Sequence, residues 1–141
     1  MATFRRFEDI EAWQFGRELT RVFCNHSKQG EFATDLPLRD TVQSLCLSVT
    51  AHIAEGFDRG ENQQFLACLA NAKVACAQIR SLLYSVSDLS YLTVPQSEDV
   101  RKLVDRTSAS LASLMLQVER SGAHANPFVN TTVKRGIRPE G

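Results

Sequence analysis

Ser48, His52 and Glu55 are the residues of this chain whose types and spacing most resemble a reaction centre. They stand at i, i+4 and i+7 in a segment with helical periodicity, so they share one helix face. The set offers a nucleophile, a base and an orienting acid. The expected local geometry opposes that use. Triad nucleophiles sit on a sharp turn beside oxyanion donors, whereas a mid-helix serine has its neighbouring N–H groups bonded within the helix. Hydrogen bonds across helices or to water are the simpler role for these groups. No catalytic residue is assigned, and the chain is not expected to be an enzyme.

The other chemistries are equally thin. The cysteines are Cys24, Cys46, Cys68 and Cys76, with no C-x-x-C pair. Cys46, Cys68 and Cys76 fall among helical apolar positions, where a reduced thiol acts as a small hydrophobe. Cys24-Asn25-His26 has the look of half a metal site, but no second half stands at ligand spacing. Gly56 and Gly60 lack the Lys-Ser/Thr of a phosphate loop. No Glu-x-x-His pair recurs on two segments as a di-iron bundle requires. Neither metal, cofactor nor small-molecule substrate is expected.

Four segments with helical periodicity would have to position these residues. The first covers about 7–25 and opens on Glu8, Asp9 and Glu11, acids suited to a helix N-terminus. On it Phe15, Leu19, Val22 and Phe23 share one face, while Ile10 and Trp13 point roughly the opposite way. A polar linker, 27–35, leads to Pro37, which suits a first helical turn. The second segment carries Leu38, Val42, Leu45, Val49 and Ile53 in steps of three and four, with Gly56 expected to end it. Asp58-Arg59-Gly60-Glu61 reads as a capping box for the third, whose stripe is Phe65, Leu69, Ala72, Cys76, Ile79, Leu83 and Val86. Thr93-Val94-Pro95-Gln96 is another capping box, opening a fourth stripe of Val100, Val104, Thr107, Leu111, Leu114 and Val118 that Gly122 can close. The expected fold is all-α: an antiparallel up-down-up-down four-helix bundle over 1–122, followed by a flexible C-terminal tail over 123–141.

Composition narrows the function. With 141 residues, 43% of them hydrophobic, the chain suits one core. Lysine plus arginine and aspartate plus glutamate both total 16, so the basic excess of a dedicated nucleic-acid binder is missing. No membrane-length apolar run and no signal-peptide pattern is apparent, which makes the cytoplasm the expected location. Phe4, Phe7, Phe15, Phe23, Phe32 and the only tryptophan, Trp13, crowd the first quarter of the chain. So much apolar surface on a small bundle suggests association, with Phe7, Ile10 and Trp13 as the oligomer interface.

Two stretches resemble a known family. Phe7-Glu8-Asp9-Ile10-Glu11-Ala12-Trp13-Gln14 is similar to the opening signature of four-helix-bundle proteins encoded in intervening sequences of bacterial large-subunit ribosomal RNA genes. Ser48-Val49, followed by His52-Ile53-Ala54-Glu55-Gly56-Phe57-Asp58-Arg59, resembles that family's central signature. Its motif positions here are Ser48, His52, Glu55, Gly56 and Arg59. The resemblance implies a ring, most often a homopentamer, and no established biochemical activity. It also points to a related protein, the accessory variability determinant of diversity-generating retroelements, which works with a reverse transcriptase and its RNA. The chain departs from the pattern at His52, where asparagine is usual, at Val74-Ala75 and Gln78, and at Gln43 and Ser44, where basic residues are usual. The lost charges weaken an RNA-binding role. The cations left for nucleic-acid contact are Arg5, Arg6, Arg17, Arg21, Lys134 and Arg135. A non-catalytic homo-oligomeric scaffold is therefore the expected function, with an accessory protein for RNA or a nucleic-acid-handling partner as the alternative.

Overall fold

The computed structural model describes residues 4–121. The expected closure at Gly122 and the tail over 123–141, with Lys134 and Arg135, lie outside the described residues. Four helices account for most of the rest: α1 Glu11–His26, α2 Leu36–Arg59, α3 Asn62–Asp88 and α4 Val94–Arg120. Short 3-10 turns at Phe7–Asp9 and Gly30–Thr34 precede α1 and α2, and no strand occurs among the described residues. Each helix packs on its sequence neighbours and α4 returns to α1, which closes the expected antiparallel bundle.

The stripes of α3 and α4 are buried at every position the spacing selects, from Phe65 to Val86 and from Val100 to Val118. From α2 the core takes Val42, Cys46, Val49 and Ile53, and from α1 Ala12, Gly16, Leu19 and Phe23. The valine, leucine, isoleucine and phenylalanine side chains among them contribute roughly 1.5–3 kcal/mol each when fully buried. Packing, not intrinsic propensity, therefore holds these helices. By length and composition α3 is apolar enough to cross a membrane. Its apolar stripe instead faces the other helices of the bundle.

Helix ends follow local chemistry. Thr93 Oγ1 accepts from the Gln96 N–H at 3.2 Å while Gln96 Oε1 accepts from the Thr93 N–H at 2.9 Å, the reciprocal box read from the sequence. Pro37 occupies the first turn of α2, and Asp35 Oδ1 caps it by accepting from the Leu38 N–H at 3.3 Å. The other carboxylate oxygen of Asp35 accepts from the Tyr91 hydroxyl at 2.9 Å, so one side chain ties the start of α2 to the α3–α4 turn. That bond, with burial, holds the Tyr91 phenol above its ordinary pKa.

Two expected boundaries need correction. Gly56 does not end α2; the helix runs through it to Arg59, and Gly60, at φ +83°, makes the left-handed exit. Asp58 is accordingly inside α2, and the residue that directly precedes α3 is Glu61, whose own side chain makes no cap bond. Gly56 and Gly60 both offer backbone freedom, but only Gly60 sits where the chain turns.

The end of α3 carries a measurable strain. Tyr91 N–H donates to Val86 O at 3.1 Å and Ser90 N–H to Ser87 O at 2.9 Å, the paired bonds of a Schellman closure. The left-handed residue there is Ser90, at φ +60°, where glycine is normally preferred. Ser90→Gly should raise stability by about 0.5–1 kcal/mol, read as a higher denaturation midpoint. An unchanged or lower midpoint would show that Ser90 is held there without cost.

Candidate functional site

The N-terminal corner is built by the Phe7–Asp9 turn. Ile10 N–H donates to Phe7 O at 3.0 Å and Gln14 Nε2 to Glu8 O at 2.9 Å, folding the turn back onto α1. This sets the Phe7 ring edge-on to Trp13, with centroids 5.2 Å apart at 65°. The Arg17 guanidinium lies over the indole at 5.9 Å. Phe7 and Trp13 pack on the core yet remain half-buried. Ile10 does not share that position: at 1% exposure it belongs to the protomer's own core and is withdrawn from the expected interface. The reason is conformational. Ile10 is the extended residue before α1, at φ −78° and ψ 122°, so a helical wheel misplaces its side chain.

Much of the aromatic excess is likewise absorbed inside the protomer. Phe23 and Phe32 are buried, Phe32 stacks on Tyr91, and Arg106 of α4 covers Phe15 at 5.5 Å. The linker holding Phe32 reads as polar, and only the lone aromatic residue within it signals a core contribution.

The central motif packs helices. Ile53 is fully buried, and Gly56 is buried where α2 meets α3. A Cβ on Gly56 would stand 2.7 Å from the Cys68 Cβ and 3.0 Å from Phe65 Cδ1. Glu55 Oε2 accepts from Arg59 Nη2 at 2.6 Å and from Nε at 3.1 Å, an exposed pair within α2. The carboxylate beside it raises the Arg59 pKa further. His52 Nδ1 is 3.9 Å from Glu55 Oε1, beyond hydrogen-bond reach, and its side chain is 32% exposed. Among the described residues Ser48 makes no hydrogen bond to His52. The three residues share a face, but no nucleophile–base contact joins them.

The cations divide. Arg21 is engaged by Glu18 at 2.6 Å, and Arg6 by Asp9 at 3.7 Å. Arg17 sits on Trp13, and the backbone N–H of Arg5 donates to Asp9 at 3.3 Å, leaving the Arg5 side chain exposed. Three of the four thus have a partner within the protomer.

A model of the family described as 23S rRNA-intervening sequence protein matches residues 8–113, well over half of the chain. The chain belongs to that family. The match takes in the N-terminal corner from Glu8 onward, the whole of α2 and α3, and most of α4. No curated protein matches the sequence. In this member of the 23S rRNA-intervening sequence proteins, Ile53, Gly56 and the Glu55–Arg59 pair therefore have structural roles in α2 and at its contact with α3.

Proposed function

We propose that this protein is a non-catalytic, cytoplasmic scaffold that assembles with copies of itself, as a pentameric ring. Its N-terminal aromatic corner forms part of the contact. The observation that carries this reading is the half-exposed Phe7–Trp13 pair, held edge-on against the core at the N-terminal corner. An aromatic pair fixed on the surface loses little conformational freedom when a partner covers it, which favours association. Size-exclusion chromatography with light scattering tests the proposal. The expected particle is a multiple of the 15.7 kDa protomer, and a 15.7 kDa particle at micromolar concentration would remove it. Trp13→Glu should lower the particle mass, and the helical circular dichroism of the variant distinguishes that effect from loss of Trp13's packing on the core.

The rival reading, an accessory protein for RNA or for a nucleic-acid-handling partner, draws less support. Arg6, Arg17 and Arg21 are already engaged within the protomer, and the overall charge is balanced. A filter-binding titration at low ionic strength, where phosphate contacts contribute most, separates the two readings.

A further inference from the structure

Cys24 and Cys46 meet across the α1–α2 contact. Thr20 Oγ1 lies 3.3 Å from the Cys46 carbonyl oxygen, which brings the two antiparallel helices together at that level. Cys24 is one turn beyond Thr20 on α1. Side chains tilt toward the N-terminus of their own helix, so on antiparallel helices these two thiols converge. The surroundings of the two sulfurs differ sharply. Cys46 is fully buried, whereas Cys24 is half-buried and opens on a groove of about 440 Å³ lined also by Lys28, Arg21, Gln43 and Leu47.

We propose that Cys24 and Cys46 form a peroxide-reactive dithiol, with Cys24 as the attacking sulfur and Cys46 as the resolving one. Lys28 and the open groove put a cation and a path for a small hydroperoxide beside Cys24; Cys46 has neither. The neighbouring Cys46 thiol, with Lys28 nearby, lowers the Cys24 pKa to about 7. The same contact, with burial, drives Cys46 in the opposite direction, and burial pushes Cys76 up to about 11. Of the three, Cys24 is the one shifted toward the thiolate.

Hydrogen peroxide serves as the two-electron oxidant. The Cys24 thiolate attacks one peroxide oxygen; the S–O bond forms, the O–O bond breaks, and the departing hydroxide takes a proton to become water. The Cys46 sulfur then attacks the Cys24 sulfenic sulfur. The S–S bond forms, the S–O bond breaks, and the Cys46 proton leaves with that hydroxide as a second water. Two electrons pass from the thiol pair to the peroxide, and the product is a disulfide joining α1 to α2.

Peptide mapping of the full chain after a brief hydrogen peroxide treatment and thiol blocking tests this. Trypsin separates the two cysteines, Cys24 into Val22–Lys28 and Cys46 into Asp40–Arg59. The expected product is those two peptides joined in a reduction-sensitive link within one chain, at doses that leave Cys68 and Cys76 unmodified. In Cys46→Ser the link disappears and dimedone traps sulfenic acid on Cys24; in Cys24→Ser both are lost. Because the wild-type map alone is decisive, the test stands even where a variant fails to fold. Cys24 carried to sulfinic acid without a link to Cys46, or all four cysteines oxidised at similar rates, would overturn the assignment.

Discussion

Phe32→Ala should destabilise the protein by about 3–5 kcal/mol, the range for emptying a buried phenylalanine site. Phe32 is 1% exposed, although it lies in the connection between α1 and α2. Its ring stacks on Tyr91 with centroids 5.1 Å apart and meets Phe23 edge-on at 6.4 Å. One side chain thus joins α1, the 3-10 turn and the α3–α4 connection at one end of the bundle. Tyr91 is also the donor to Asp35, so its loss of support reaches the cap of α2. A total stability of about 5–15 kcal/mol is usual for a domain, which makes this loss a large share. Phe32→Leu, which keeps most of the volume and loses the ring contacts, should cost about 1 kcal/mol. Urea unfolding reads both. A solvated linker would give changes within about 0.5 kcal/mol for either variant, and that result would refute the packing described.

Gly56→Ala should destabilise as well, against the ordinary preference of helices. In an open helix interior the change would gain about 0.5–1 kcal/mol. Here the added Cβ would stand 2.7 Å from the Cys68 Cβ, closer than such atoms come. Because that atom is fixed to the backbone, α2 and α3 must separate, and overpacking of this kind typically costs about 1–3 kcal/mol. The collision outweighs the propensity gain. Cys68→Ala retains the obstructing Cβ, so adding it to Gly56→Ala should bring no rescue. A Gly56→Ala protein more stable than wild type would show that the helices part freely.

The same glycine shows how far the sequence could be read. The stripes of α3 and α4 are legible because regular helices bury every third or fourth residue, and the box at Thr93–Gln96 is legible because both partners are local. Gly56 and Gly60 are each plausible helix terminators by residue type. The difference between them is a tertiary contact with Cys68 and Phe65 that no local pattern encodes. The burial of Ile10 is illegible for a related reason: helical periodicity does not extend to a residue whose backbone is extended. Phe32 and the facing of Cys24 toward Cys46 depend on helices distant in sequence meeting at one level. The Ser48, His52 and Glu55 face is visible in the sequence, and the distances between the groups decide against a reaction centre there.

Trp13 provides the most direct measurement of the central claim, because the chain has no other tryptophan. Its emission can be followed through a dilution series while light scattering reports particle mass. If a neighbouring copy covers the indole, emission should shift to longer wavelength as the mass falls toward 15.7 kDa, with both changes sharing one midpoint. Emission that stays constant while the assembly dissociates would place the contact elsewhere on the bundle, and a particle of protomer mass at every concentration would contradict self-association altogether.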